Sequence, residues 1–245
     1  MSDYLYGLHA IQAVLEKTPE SVSELWVDAG RHDKRIAQIL ELARHSGTTV
    51  HSVARHELET MVPDGRHQGV VAKASPPRVY SESDLDNLLE SLPGAPVLLI
   101  LDGVTDPHNL GACLRSADAA GVNAIIAPKD RAASLTPVAI KVSSGASQTV
   151  PFVQVTNLAR CLRDLKERGI WLVGLDGQAE ESLFDRDLKG PLAIVMGAEG
   201  QGLRRLSKEH CDFLVKIPMV GSVESLNVSV AAGICLFEAL RQRKS

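Results

Sequence analysis

The sequence has no run of the eighteen or so apolar residues that a membrane-spanning helix needs. No basic-then-apolar leader opens the chain, so we expect no secretory signal peptide and no membrane partner. The four cysteines form no CxxC pair, which disfavours a zinc site and a disulfide framework. Three of them lie in apolar, helix-like patterns that are typical of small core residues. These absences predict a cytoplasmic protein with reduced thiols.

The sequence also lacks an excess of basic over acidic residues. The formal net charge is −4 and the isoelectric point about 6.1, whereas nucleic-acid-binding domains usually carry a basic surface. A local basic patch is sufficient for such binding, so this balance disfavours a nucleic-acid partner without excluding one. At 245 residues, with 44% hydrophobic and 23% charged side chains, the chain is typical of a globular protein with a substantial core. It is long enough for two domains.

The first third of the chain alternates short helix and strand patterns, which predicts a small α/β domain over residues 1–75. Helices are expected over 8–16, 34–45 and 55–61, and strands over 24–27, 48–53 and 69–74. A polar, acidic stretch with prolines follows, and residues 76–96 are predicted to be a linker that carries a short helix.

Residues 97–245 are predicted to form a second α/β domain around a parallel sheet. The segment VLLILD at 97–102 is almost wholly apolar, as expected for a strand that is covered on both faces. Similar strands are expected at 123–128, 151–155, 170–175, 192–197 and 213–218. Ligands of such sheets bind outside the carboxyl ends of the strands, so function is expected in the loops that follow them.

The first such loop is LDGVTDPHNLGACLRSADAAG, residues 101–121. Its Gly111 permits close approach of another backbone. Asn109 and Arg115 are candidate functional residues, but each also has an ordinary structural interpretation. Asn109 could cap a helix, and Arg115 could pair with Asp118 three residues later.

The second loop, VMGAEGQGLRRL at 195–206, places three glycines around Glu199. The order of residues is not GxGxxG. A glycine-rich turn after a strand can cradle a nucleotide-like ligand through backbone N–H groups, although glycines also make plain turns. Glu199 either points at a ligand or is solvated.

The third loop leads into IPMVGSVESLNVSVAAGICLFEAL, with a helix expected to begin near Ser225. Ser225 and Asn227 could simply cap that helix. Alternatively, the helix start holds an anionic ligand at its free N–H groups. Gly233, inside the helix, is predicted to be a close-packing position against another helix or a second subunit.

Together, NLGACLRSADAAG, VMGAEGQGL and IPMVGSVESLNVSVAAGICLFEA resemble the three signature motifs of SpoU-type RNA 2′-O-ribose methyltransferases, in the SPOUT superfamily. The resemblance covers most of residues 97–245. YGLHAIQAVLE and RHQGVVA resemble the substrate-binding domain that precedes the catalytic domain in this family. Within the family, the chain is similar to bacterial enzymes that methylate a guanosine ribose in the peptidyl-transferase region of 23S ribosomal RNA.

The resemblance implies a parallel-sheet domain with a deep trefoil knot, preceded by a small α/β RNA-binding domain. It implies S-adenosylmethionine as the methyl donor, bound in a bent shape against the knotted loops, with no metal. It also implies a homodimer with each site near the subunit interface. The helix that follows Leu226 is then apolar on most sides because it packs both in the core and against a partner.

The resemblance also assigns residues. The implied catalytic residues are Asn109, Arg115, Glu199, Ser225 and Asn227. The implied cofactor-binding positions are Leu175, Gly177, Met196, Gly197, Ile217, Met219, Ser225 and Leu226. The family's proposed base is the arginine at position 115. An arginine is normally protonated, so its other possible role is to orient the RNA phosphate and stabilise charge.

RNA is expected to bind the first domain, with these candidates: Arg31, Lys34, Arg35, Arg55, Arg66 and His67. The ordinary alternative is a solvated charged face. Three other functions stay open at this point. They are a transfer-RNA 2′-O-methyltransferase, a non-catalytic RNA-binding or ribosome-assembly protein, and a dinucleotide-dependent enzyme. The absence of GxGxxG after the first strand of the second domain disfavours the last of these.

Overall fold

The computed structural model describes residues 4–63 and 65–244. The strands are β1 Tyr4–Tyr6, β2 Val22–Asp28, β3 Thr49–Val53, β4 Val70–Ala74, β5 Val79–Tyr80, β6 Val97–Asp102, β7 Ala124–Pro128, β8 Phe152–Val155, β9 Trp171–Leu175, β10 Glu181–Ser182, β11 Leu192–Gly197 and β12 Phe213–Lys216. The α-helices are α1 Leu8–Lys17, α2 Lys34–Ser46, α3 Arg55–Met61, α4 Glu82–Ser91, α5 Pro107–Ala120, α6 Pro137–Val142, α7 Ala146–Thr149, α8 Leu158–Glu167, α9 Arg205–His210 and α10 Val228–Lys244. Short 3-10 helices cover Pro19–Ser21 and Leu183–Asp185.

The chain divides into two compact units. The first holds the residues up to Pro77 together with Ser144–Thr149, and the second holds Arg78–Ser143 and the residues from Val150 onward. Each unit has its own sheet, which contains four strands in the first unit and eight in the second.

The first unit is built on a mixed sheet with the strand order β1-β4-β2-β3. Strands β2 and β3 run parallel, and β4 is antiparallel to both β1 and β2. Helices α1 and α2 bury one apolar core against this sheet, which includes Ile11, Leu25 and Ile36. Helix α3 contributes Leu58 to a second cluster with Val71. The sheet therefore has a buried cluster on each side.

The second unit is an eight-stranded parallel sheet, with the order β10-β12-β9-β11-β6-β7-β8-β5. The parallel sheet predicted from the apolar segments is confirmed. Strand β6 buries its side chains from Leu98 to Asp102, as expected where helices cover both faces of a sheet. The main cluster of this core includes Ile100, Ile126, Val153 and Val195.

The structure differs from the predicted linker over residues 76–96. Val79 of β5 pairs with Phe152 of β8 at the edge of the large sheet. On α4, Leu85 is buried in the main cluster, and Leu88 and Leu89 pack against it. A two-residue strand is too short to show an alternating pattern, and the leucines of α4 lie within a strongly acidic segment. These two features explain why the sequence resembles a linker.

Helix α10 begins at Val228, three residues later than the start predicted at Ser225. The capping residue is Asn227, whose Oδ1 accepts hydrogen bonds from the backbone N–H of Ser229 at 2.9 Å and from its hydroxyl at 2.6 Å. Ser225 lies outside the helix. Serine and asparagine are equally good capping residues, so the sequence alone does not decide between them.

Two helix glycines have different packing roles. A Cβ atom at Gly111 on α5 would lie 2.6 Å from the carbonyl oxygen of Ala139 on α6, so α5 and α6 approach more closely than any side chain allows. A Cβ atom at Gly233 on α10 would lie 3.7 Å from Ser116 Oγ, which is an ordinary contact distance. Within one chain, close packing therefore requires Gly111 but not Gly233.

The cysteines are core residues, as predicted for three of them. Cys113, Cys161 and Cys235 are buried, and Cys211 is half-buried. Burial raises the pKa of the Cys113 and Cys235 thiols to about 12.

Within residues 4–63 and 65–244, no cluster of His, Cys, Asp and Glu could hold a metal ion. No helix in the same ranges is long and apolar enough to cross a membrane.

Candidate active site

Four adjacent strands bring the candidate loops to one edge of the large sheet. Strands β12, β9, β11 and β6 are neighbours in this order and run parallel, so their carboxyl ends lie side by side. These strands end at Lys216, Leu175, Gly197 and Asp102. All catalytic and cofactor-binding candidates lie at these ends or in the segments that follow them. Ligands of parallel sheets bind at this edge.

A direct contact joins the first and third motifs. The side-chain amide nitrogen of Asn227 donates a hydrogen bond to Oδ1 of Asn109 at 2.9 Å, across 118 residues of sequence. Because Oδ1 of Asn227 already accepts from Ser229, both ends of this amide are used and its orientation is defined. The contact holds the start of α10 against the first turn of α5.

Asp106, and not Asn109, caps α5. Its Oδ1 accepts a hydrogen bond from the backbone N–H of His108 at 2.8 Å, and this bond lowers the pKa of Asp106. The His108 ring lies 3.1 Å from the same oxygen. The capping interpretation of Asn109 is therefore wrong, and its side chain is free to serve the contact with Asn227.

Arg115 lies on another side of α5. It follows Asn109 by six residues, which places it about 120° around the helix. Arg115 is exposed, and no hydrogen bond or ion pair of its side chain is found within the described part of the chain. The guanidinium is therefore available to a ligand.

The glycine loop after β11 is tightly closed at its base. The N–H of Gly202 donates to the carbonyl oxygen of Ala198 at 2.9 Å. A Cβ atom at Gly197 would lie 2.0 Å from the carbonyl carbon of Gly202, so only glycine fits there. Gly200 has a φ of 77°, a conformation that glycine adopts without strain. Glu199 is exposed at the tip of this loop.

The proposed cofactor positions occupy three neighbouring strand ends. Met196 is buried in β11 and Gly197 is half-buried. Leu175, the last residue of β9, is half-buried, whereas Gly177 beyond it is exposed. Behind β12, Ile217 and Leu226 are half-buried, and Met219 and Ser225 are exposed. A glycine cradle with open backbone beside apolar side chains suits a ligand that has both an adenosine and a charged methionine end.

A carboxylate that the loop patterns did not indicate lies in the same region. Asp102, the last residue of β6, is 1% exposed, and its Oδ2 accepts a hydrogen bond from the backbone N–H of Arg204 at 3.0 Å. The visible signal is an acidic residue that ends the apolar run VLLILD. A second carboxylate, Asp176, follows β9 and pairs with Lys208, whose hydrogen bond lowers the pKa of Asp176.

The RNA candidates of the first unit fall into two groups. Arg31 donates hydrogen bonds to Asp33 and to the carbonyl oxygen of Gln68, and this joins the segment before α2 to the segment before β4. Arg35 lies 3.4 Å from the His9 ring. These contacts draw the start of α1 and both segments into one surface. Lys34, the first residue of α2, and Arg66, in the segment before β4, are both exposed. Arg55 is exposed on α3 and pairs with Glu59.

His67 is a correction to the predicted RNA contacts. Its side chain is buried, with the residue 4% exposed, and its Nδ1 accepts a hydrogen bond from the backbone N–H of Gly69 at 3.1 Å. The ring closes the turn before β4 and offers no surface to RNA. The neighbouring Gln68 is also structural, because its Oε1 accepts from the N–H of Leu8 at 3.1 Å at the start of α1.

A parallel α/β sheet that gathers three motif loops at the carboxyl ends of its strands is typical of enzymes that bind a ligand at that edge. The family described as SpoU rRNA Methylase matches residues 96–237, and the domain described as RNA 2′-O ribose methyltransferase substrate binding matches residues 4–80. The chain belongs to the SpoU rRNA methylase family.

Curated relatives align with the whole chain. The 23S rRNA (guanosine-2′-O-)-methyltransferase RlmB of Pseudomonas putida is 55% identical over 240 residues, which cover 98% of this chain and 96% of that protein. The protein of the same name in Escherichia coli is 54% identical over 99% of this chain and 100% of its own length. The SpoU methyltransferase AviRb of Streptomyces viridochromogenes, solved in complex with AdoMet, is 30% identical, with a TM-score of 0.72, over 99% of this chain and 90% of that one.

Proposed function

We propose that the chain transfers the methyl group of S-adenosylmethionine to the 2′-oxygen of a guanosine ribose in 23S ribosomal RNA. The main support is a sequence identity of about 55% to such enzymes over nearly the full length of the chain, which includes both units. All five implied catalytic residues are present in the sequence, which favours catalysis over a binding-only role. A ribosomal RNA substrate also favours the cytoplasm as the place of action. The trefoil knot stays a prediction of the resemblance.

The reaction sets clear demands on the site. The ribose 2′-oxygen forms a bond to the methyl carbon while the carbon–sulfur bond breaks, and the hydroxyl proton passes to solvent water. S-adenosylmethionine supplies the electrophilic methyl group and leaves as S-adenosylhomocysteine. The protein must hold the two reactants in line, and such positioning accounts for a large part of the acceleration in reactions of this kind.

The candidate residues have different roles in binding the methyl donor and the RNA. The backbone of Met196 and Gly197 and of the segment after β12 holds the methyl donor. The pair of Asn109 and Asn227 fixes the ribose side of the pocket. Arg115 binds the RNA phosphate next to the ribose, because its unpaired guanidinium presents a planar fork that matches phosphate geometry. Glu199 and Ser225 complete the substrate end from their exposed positions.

The first unit binds the ribosomal RNA through the surface defined by Arg31, Lys34, Arg35 and Arg66. Arg31 contributes mainly by joining the two segments, since its guanidinium already has two partners. Lys34, Arg35 and Arg66 are exposed and can contact phosphates. Arg55 is a peripheral contact, because Glu59 partly neutralises it.

The test of the proposed function uses 23S ribosomal RNA from a strain that lacks this protein. The purified chain is incubated with labelled S-adenosylmethionine and either free 23S RNA, precursor ribosomal particles or transfer RNA, and 2′-O-methylation is mapped. We expect one new ribose methyl on a guanosine of 23S RNA. Methylation of transfer RNA instead would favour the transfer-RNA alternative. RNA binding without any methyl transfer would favour the ribosome-assembly alternative.

We also propose that two copies associate through α10. Val230 and Phe237 are 51% and 48% exposed on this helix, and Ile234 between them is half-buried. Spacings of four and three residues place the three side chains in one stripe along the helix. A contiguous exposed apolar stripe is typical of an association surface, and a second copy suits it because one stripe can pack on its equivalent.

Replacing Phe237 by Asp is expected to convert the dimer to a monomer, because a charge in an apolar interface loses its hydration. Size-exclusion chromatography coupled to light scattering measures the molar mass of the protein in solution. Leu40→Asp on α2 is the matched control, since Leu40 is also exposed, at 37%, but lies outside the stripe. A monomeric wild-type protein, or an unchanged dimer in Phe237→Asp, would contradict this proposal.

A further inference from the structure

We infer that Asp102 is a positioning residue that holds the glycine loop, residues 198–203, in the shape that the methyl donor and Glu199 require. The inference rests on the proposed function, because that function places the donor against this loop. Asp102 is 1% exposed, so its side chain offers almost no surface to either reactant. It acts through the backbone of the segment that follows β11.

The two oxygens of Asp102 have different partners. Oδ2 accepts the backbone N–H of Arg204 at 3.0 Å, whereas Oδ1 lies 3.3 Å from Nη1 of the same residue. Within the described residues, Oδ1 makes no hydrogen bond of good geometry. The carboxylate is fully buried, and the Arg204 side chain is 46% exposed. The backbone hydrogen bond is therefore the stronger interaction, and the half-exposed guanidinium adds a weaker attraction that solvent screens.

Asp102 anchors both ends of the glycine loop. Gly197, where the loop leaves β11, is the register partner of Asp102 on the neighbouring strand β6. Arg204, where the loop ends, is bound by the Asp102 carboxylate. Asp102 thus meets the start of the loop through strand pairing and the end of the loop through its carboxylate. At the base of the loop, the N–H of Gly202 donates to the carbonyl oxygen of Ala198, and Gly197 lies so close to Gly202 that no Cβ atom fits.

A second carboxylate holds the same segment from the other side. Strand β11 lies between β6, which ends in Asp102, and β9, which Asp176 follows directly. Asp176 follows β9 and pairs with Lys208 on α9. The segment from Arg204 to Lys208 is therefore fixed on both flanks. Such fixing restricts the loop tip to one geometry, which a site needs for in-line transfer.

The buried carboxylate has little value as a plain stabilising ion pair. Burying a charge has a desolvation cost that an exposed partner offsets only in part. A geometric role explains why the charge is kept: an ionised oxygen binds a backbone N–H more strongly than a neutral acceptor does. Asparagine at this position would keep one acceptor but turn N–H donors toward the Arg204 guanidinium.

The experiment compares wild type with Asp102→Asn, Arg204→Ala and the control Asp86→Asn. Asp86 pairs with Arg168 on the surface at 2.7 Å, so its variant removes a carboxylate that is unrelated to the loop. Three quantities are measured on the full chain. They are hydrogen–deuterium exchange of residues 198–204, S-adenosylmethionine affinity by calorimetry, and affinity for a 23S RNA fragment.

Asp102→Asn is expected to accelerate exchange in residues 198–204 and to weaken S-adenosylmethionine binding about 10- to 100-fold, with RNA affinity unchanged. Arg204→Ala keeps the backbone N–H, so its effect on binding should stay within about fivefold. Asp86→Asn should match wild type in all three quantities.

Three results would overturn the inference. The first is an unchanged loop exchange in Asp102→Asn. The second is a rise in exchange that is spread evenly over the second unit, which marks a global effect. The third is a loss of S-adenosylmethionine affinity in Arg204→Ala as large as in Asp102→Asn, which would assign the effect to the guanidinium. The exchange measurement needs neither cofactor nor RNA. If the wild-type protein itself binds no S-adenosylmethionine, the proposed function is refuted. This result is read from the wild-type protein alone and does not depend on the variants.

Discussion

Replacing Arg115 by alanine should lower the rate of methyl transfer by about 100- to 1,000-fold, the usual effect of losing one group that stabilises charge in a transition state. The side chain is exposed, and it has no hydrogen-bond or ion-pair partner within the described chain. Its removal therefore leaves no buried polar group unsatisfied. Stability and S-adenosylmethionine affinity should therefore stay near wild type. Single-turnover methylation of 23S RNA measures the chemical step, and calorimetry measures the affinity.

Arg115→Lys separates two roles of this residue. If Arg115 binds phosphate through two parallel hydrogen bonds, lysine keeps the charge but not the planar fork, and most of the rate stays lost. Arg163→Ala on α8 is the matched control, because Arg163 is another exposed arginine of the second unit. A near wild-type rate in Arg115→Ala would remove this residue from the proposed machinery, whatever the lysine variant does.

The helices and strands were predictable where burial on two faces leaves a continuous apolar run. Strands β6 and β11 have the predicted bounds for this reason. Strands β5 and β10 contain two residues each, and β1 three, which is too few for any periodicity to show. The parallel order of the central strands then placed the motif loops at one edge, so the region of the site followed from the sequence.

The contacts inside the site could not be predicted in the same way. Asn109 and Asn227 are 118 residues apart, and nothing local indicates that their side chains meet. Ser225 and Asn227 are both suitable helix caps, and the packing of α10 on α5 decides between them. His67 follows an exposed arginine in a polar segment, yet it is buried by its own turn. Each of these outcomes depends on tertiary packing, which local patterns do not encode.

Gly197→Ala is expected to have the largest effect on the methyl-donor site. The new Cβ atom would lie 2.0 Å from the carbonyl carbon of Gly202 and 2.3 Å from the N atom of Leu203. Both contacts are with backbone, so no side chain can move aside. The loop must open at its base, and overpacking of this kind typically destabilises a protein by about 1–3 kcal/mol. S-adenosylmethionine affinity should fall by at least about 100-fold, because the opened loop displaces the donor's backbone contacts.

Gly94→Ala is the control, because a Cβ atom there meets nothing within 4 Å. Calorimetry with S-adenosylmethionine and thermal unfolding are measured on both variants, and binding of a 23S RNA fragment reports on the first unit. Gly197→Ala should lose donor binding while it retains RNA binding, since the RNA surface lies on other segments. If Gly197→Ala bound the donor normally, the tight base of the loop would be unnecessary for the site. The donor would then have to be held by the segments after β9 and β12 alone, and the anchoring of the loop by Asp102 would lose its functional purpose.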